Sequence, residues 1–171
     1  SLIMEIARRH NPVELRESKS AEESAAIWLG RKSAFGAMGQ INDYMCLDGT
    51  IPVTELPYVL RRIGELSKQY GLGVANVFHA GDGNMHPLIL FDANKPGDLE
   101  LCEDMGADIL KLCVEAGGCL TGEHGVGVEK RDLMLHQYDP ADLEAQLKVK
   151  DVFDPQWLLN PAKVFPLSVT E

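Results

Sequence analysis

No stretch of this 171-residue sequence stays apolar for the roughly 18 positions that a membrane-spanning helix needs, so a helical span is excluded. Basic residues are also scarce. Sixteen Lys and Arg against 26 Asp and Glu leave a formal charge of −10, which excludes a nucleic-acid partner because that role needs a basic footprint. The same balance does not exclude a small anionic substrate, since local charge governs such binding and net acidity serves mainly solubility. The four cysteines, Cys46, Cys102, Cys113 and Cys119, form no C-x-x-C pair. They are expected to be reduced and packed as small apolar groups, not to bind metal. The opening SLIMEIARRH has no long apolar core and no small-residue cleavage site, so a secretory leader is not expected and a cytoplasmic location is.

Hydrophobic residues make up 45% of the chain and charged residues 25%, a globular balance with enough length for one sizeable core. Residues 21–40 are rich in helix formers, with Ser20 as N-cap and acids in the first turn. DYMCLD, residues 43–48, reads as a strand. Residues 54–70 read as an amphipathic helix with Leu56, Val59, Leu60, Ile63 and Leu66 on one face. Residues 73–80 and 85–92 read as the arms of a hairpin, with Pro87 suggesting an edge or a bulge. Residues 98–116 form a further helix, 119–127 a short strand entering a glycine-rich turn, and 129–138 and 141–153 two more helices, the second opened by Pro140. The tail DPQWLLNPAKVFP is irregular. The mixture lacks strict β-α-β alternation and predicts an α+β fold, a small, mainly antiparallel sheet with helices packed on one face.

The chemistry is concentrated in two glycine-rich turns, which hold three of the five histidines. In HAGDGNMH, His79 and His86 flank a six-residue connection on adjacent strands. Directly opposed, their Cβ atoms would lie about 4.5–5.5 Å apart, close enough for two imidazoles to chelate one divalent cation. In GEHG, Glu123 and His124 are neighbours. An extended backbone would send them to opposite sides, whereas a turn could aim both at one pocket. Three ligands from His79, His86, Glu123 and His124 would leave an open position for water or substrate. Such a set serves a metal-dependent hydrolase as well as an oxidoreductase. Alternatively, the histidines cap turns in a non-catalytic interaction domain, with Asp82 and Asn84 stabilising the first turn.

HAGDGNMHP followed by GEHGVGVEKRDLM resembles the C-terminal domain of FAD-linked oxidases of the vanillyl-alcohol oxidase type, and the resemblance runs from about Trp28 to Pro166. It implies that residues 1–171 are the substrate or cap domain, ferredoxin-like in fold, of a longer flavoenzyme whose N-terminal FAD-binding domain is absent from this chain. By itself the chain is then expected to be inactive. The resemblance also assigns roles. His79, His86 and Glu123 match ligands of a divalent metal, with zinc the first choice for N and O donors. His124 matches the catalytic base, and Arg31 an arginine that grips the substrate carboxylate. Asn84, Asn160 and Lys163 match positions near the flavin cofactor, and the role of Lys130 stays open. The activity implied is oxidation of a 2-hydroxy acid, glycolate or D-lactate, to the 2-oxo acid with hydride transfer to FAD. Relatives acting on 2-hydroxyglutarate place a lysine where this chain has Cys46, so a short monocarboxylate is expected here. Further flavin and iron–sulfur subunits, and through them a peripheral place on the inner membrane, are implied as partners.

Overall fold

The computed structural model describes residues 2–169. The chain divides into two compact units, Ser1–Ala37 and Met38–Glu171. In the first, helix α1 (Leu2–Arg9) precedes helix α2 (Ala21–Lys32). The Ser20 hydroxyl caps α2 by accepting from the Glu23 N–H at 3.2 Å, as its place before two acids predicts. The single helix expected over 21–40 is interrupted at Ser33 and resumes as the one-turn α3 (Ala34–Met38).

The second unit carries the sheet. Strand β1 (Asp43–Cys46) and the short β2 (Gly49–Thr50) lead through a turn of 3-10 helix into α4 (Leu56–Tyr70). Strands β3 (Val74–Asn76), β4 (Asn84–Met85) and β5 (Pro87–Phe91) follow, then α5 (Asp98–Glu115). Strand β5 lies between β1 and β3 and is antiparallel to both, a split β-α-β arrangement within an antiparallel sheet. The expected pairing of 73–80 with 85–92 is present. The edge or bulge suggested by Pro87 is not, for β5 is the central strand. Pro87 is tolerated because it is the first residue of that strand.

Alternation along the strands sorts the two faces. Ile89, Met45 and Val74 pair across the sheet and turn toward α4 and α5. The helices meet them with stripes at helical spacing, Val59, Ile63 and Leu66 from α4 and Cys102, Met105 and Ile109 from α5. Leu88 and its partners Cys46 and Ala75 take the opposite face.

After α5 the expected strand over 119–127 shrinks to a single bridge, Thr50 to Cys119, followed by bends. The helix expected over 129–138 is a 3-10 turn and the one-turn α6 (Met134–Gln137). Helix α7 (Pro140–Phe153) forms as expected, with Asp139 accepting from the Ala141 and Asp142 N–H groups. The tail beyond it is irregular, and no helix among the described residues is long and apolar enough to cross a membrane.

Helices α4 and α5 are also tied by a polar contact. The Tyr70 hydroxyl donates to Asp108 at 2.7 Å. That bond, then burial, then the charge of the carboxylate, push the phenol up to about 12. The raised folded pKa makes this contribution complete below the unfolded value of about 10 and lost as pH climbs through about 12. Tyr70→Phe should cost about 1 kcal/mol at neutral pH by urea denaturation. It should also remove the tyrosinate titration step near pH 12 seen by ultraviolet absorption.

Candidate active site

The pairing of β2 with β4 continues the register of β1 with β5 without slipping, since Cys46 faces Leu88 and Gly49 faces Met85. Asp48 therefore falls opposite His86, and the two side chains share one side of the ladder. Both are buried, Asp48 at 0% and His86 at 3% exposure. His79 pairs with Asn84, and the Val77 N–H donates to the His86 carbonyl. The two histidines are thus diagonal neighbours, not directly opposed as the symmetric hairpin reading expects. Diagonal neighbours are still within reach of long side chains, and the rings meet edge to face with centroids 5.3 Å apart.

The second loop closes over this edge. Thr50 and Cys119 exchange backbone hydrogen bonds at 3.0 and 3.1 Å, and the Gly122 N–H donates to the Asp48 carbonyl at 2.9 Å. So close an approach demands glycine. A Cβ on Gly118 would lie 1.7 Å from the Thr50 carbonyl oxygen, and one on Gly122 2.7 Å from Asn84 Oδ1. Residues 121–124 then wrap the Asp48 carboxylate. Oδ2 accepts from the Thr121 hydroxyl at 2.6 Å and from the N–H groups of Gly122, Glu123 and His124 at 3.0, 3.0 and 2.8 Å. Behind it lies the equally buried Lys130, its Nζ 3.5 Å away. Burial alone would raise the Asp48 pKa. The Thr121 hydroxyl, the His124 and Glu123 N–H groups and the Lys130 ammonium outweigh it and hold the carboxyl well below the usual range. Burial in turn pulls Lys130 below its ordinary value, against Asp48, which pulls it up.

Glu123 Oε1 is brought 3.1 Å from His86 Nε2 and 3.9 Å from His79 Nε2, whereas the compact group of possible ligand atoms leaves His79 out. His124 stacks on His86 with centroids 5.2 Å apart and planes 15° from parallel. The ligand atoms of Asp48, His86, Glu123 and His124 lie within 4.8 Å of one another.

This donor set fits a cation. His86 Nδ1 lies 3.0 Å from the Leu47 carbonyl, which can only accept, so Nδ1 carries a proton, and a lone pair on the ring, where there is one, is on Nε2. That lone pair faces a carboxylate oxygen at 3.1 Å, an arrangement that repels unless a proton or a metal ion lies between. Two ligands each about 2.0–2.2 Å from zinc can stand as much as about 4.4 Å apart, which accommodates both histidine–Glu123 separations.

Arg31 is a half-buried residue of α2, in the first unit. Asn84 is buried in β4, its Oδ1 without a hydrogen-bond partner. Asn160 and Lys163 are exposed in the tail, Asn160 at a φ of 48° and Lys163 donating to the Pro161 carbonyl. Asp48 was not singled out by sequence reasoning, because it reads there as the last residue of the strand over 43–48. Lys130 gave no signal beyond its presence in a motif.

The chain belongs to the family of FAD linked oxidases, C-terminal domain, whose sequence profile matches residues 2–164. It is 50% identical over 165 residues to glycolate oxidase subunit GlcD of Escherichia coli strain K12, an overlap covering 96% of this chain and 33% of that protein. To glycolate oxidase subunit GlcD of Bacillus subtilis it is 31% identical over 161 residues, 94% of this chain and 34% of the relative. To a D-lactate dehydrogenase of Archaeoglobus fulgidus it is 35% identical over 120 residues, 69% of this chain and 26% of the relative. The chain spans about a third of the length of the two glycolate oxidase subunits.

Gly122→Ala should cost about 1–3 kcal/mol in denaturant midpoint, because its Cβ would meet the Asn84 amide and Thr50 Cγ2 in a region with no slack. The depressed Asp48 pKa also fixes a sign. Its contribution is complete above the unfolded value of about 3.9 and is lost as pH falls through the lower folded value. The stability gap between wild type and Asp48→Asn should therefore narrow as urea midpoints are taken below about pH 4.

Proposed function

We propose that this chain is the substrate-binding domain of a larger FAD-dependent enzyme that oxidises a short 2-hydroxy acid, glycolate or D-lactate, to the 2-oxo acid. The observation that carries the reading is the meeting of His79 and His86 at one Glu123 oxygen, in a chain half identical to a glycolate oxidase subunit. His79, His86 and Glu123 would hold a divalent cation, zinc by preference for N and O donors, which would polarise the bound hydroxy acid. FAD, when bound, supplies the hydride acceptor.

The chain's own residues do the rest. His124 accepts the substrate hydroxyl proton, and its stacking on the buried His86 fixes its plane. The Leu47 carbonyl keeps the His86 Nε2 lone pair directed into the site. Arg31 offers the substrate carboxylate a planar pair of donors. Cys46 lies on the Leu88 side of the ladder, one step along from Asp48 and His86, where burial and then Asp48 push its thiol up and keep it neutral. An uncharged group there offers no partner to a second carboxylate, which favours short monocarboxylates. Glu123 and His79 are about half exposed, so water exclusion requires cover from outside this unit, a role suited to a flavin-binding domain. Asn84, Asn160 and Lys163 remain the residues proposed to lie toward the flavin. We place the assembly with further flavin and iron–sulfur subunits, peripheral on the inner membrane.

In the whole protein, glycolate or D-lactate should bleach the flavin under anaerobic conditions. His124→Ala should slow that reduction about 10²–10⁴-fold with metal content unchanged, whereas His79→Ala should lose both metal and rate. Arg31→Lys should act mainly on KM. Absence of flavin reduction by every 2-hydroxy acid tested would refute the reading, and loss of metal from His124→Ala would reverse the assignment of base and ligand.

A further inference from the structure

We propose that Asp48 is the positioning residue of this site: its buried carboxylate, acting as an anchor and not as a further metal ligand, turns Glu123 and His124 to the same side as His79 and His86. The inference deepens the reading above and rests on it for what the positioned groups do. Extended backbone would send two adjacent side chains to opposite sides. Here three successive N–H groups, of Gly122, Glu123 and His124, converge on one oxygen at 3.0, 3.0 and 2.8 Å. Successive amides that point inward at one anion form a nest, and that curl is incompatible with an extended segment.

The anchor is closed at both ends. Thr121 Oγ1 donates to Asp48 at 2.6 Å and accepts from the Gly125 N–H at 2.8 Å, so the hold extends over the whole of 121–125. Asp48 Oδ1 accepts a second time from the Glu123 N–H, at 3.2 Å. The carboxylate has about four lone-pair sites, and the loop together with the Lys130 ammonium already supplies more donors than that. Asp48 lies close enough to His86, Glu123 and His124 to share a cation with them, yet five donors converge on its Oδ2 and its Oδ1 accepts from the Glu123 N–H, so the carboxylate is engaged by the loop. One stretch of strand thus sets both halves of the site. The Leu47 carbonyl orients His86, and the next residue, Asp48, orients the Glu123–His124 pair.

The test uses the whole protein, stripped of metal and titrated with Co²⁺, whose visible absorption reports its ligands. Asp48→Asn should weaken Co²⁺ binding about 10–100-fold, the usual effect of losing a group that orients ligands, with the shape of the spectrum unchanged. Amide hydrogen exchange in 121–125 should quicken, while that in α5 stays as in wild type. Glu123→Gln, a ligand change, should alter the spectrum itself. Should Asp48→Asn fail to fold, Thr121→Val removes one donor and leaves the carboxylate. It should show the same two effects to a smaller degree. A spectrum changed in form by Asp48→Asn makes Asp48 a ligand and overturns the proposal. Unchanged affinity and unchanged exchange, in Asp48→Asn or in Thr121→Val where only that variant folds, overturn it too. If wild type takes up no Co²⁺, or His86→Ala and Glu123→Gln bind it as wild type does, the metal reading fails. Exchange in 121–125 then decides separately whether Asp48 holds the loop.

Discussion

A carboxylate removed from water has to be surrounded by donors, and in this fold that requirement shapes everything near the site. Asp48 is wholly buried, and among the described residues the only side-chain charge paired with it is the equally buried Lys130. One ammonium at 3.5 Å does not replace a hydration shell, so the chain supplies four further donors from residues 121–124. These donors come from a segment more than 70 positions later in the sequence, and gathering them folds the GEHG turn back onto the strand. The geometry of Glu123 and His124 follows from satisfying that charge.

The sheet supplies the rigid side of the arrangement. Because β1–β5 and β2–β4 share one register, the segment from Asp43 to Thr50 runs as a continuous guide along the partner that carries His86. One face of that guide is sealed by α4 and α5 through Met45, Ile89 and the helix stripes, which leaves the reactive groups at the other face and the end of the ladder. The candidate site residues thus sit on loops that a packed scaffold positions.

The site grades from buried to open. Asp48, His86 and Lys130 are inaccessible, whereas Glu123 and His79 are about half exposed. Electrostatic interactions in the buried layer are strong and set orientation, while the exposed layer is screened until something covers it. The chain belongs to the FAD linked oxidases, C-terminal domain family and spans about a third of the length of the glycolate oxidase subunits it matches.

Much of this was legible from local pattern. The periodicity of 54–70 and 98–116, the Ser20 cap, Pro140 at the head of α7 and the pairing of the two arms around HAGDGNMH depend on neighbours a few residues away, and each is present. The concentration of histidines in two glycine-rich turns likewise marked out the candidate site. The register did not follow from local pattern. A symmetric hairpin puts His79 opposite His86, whereas pairing across β3 and β5 puts them on a diagonal, and Pro87 proved central because β1 adds to the far side of its strand. Nor did the sequence mark Asp48, whose partners begin 73 positions away at Thr121. By itself the sequence determined the longer helices, the two arms of the hairpin and which residue types can carry the chemistry, because short-range sterics and hydrophobic spacing act within a few residues. Only the tertiary structure decided which of those residues meet, because that depends on how distant strands register and on where a buried charge finds its donors.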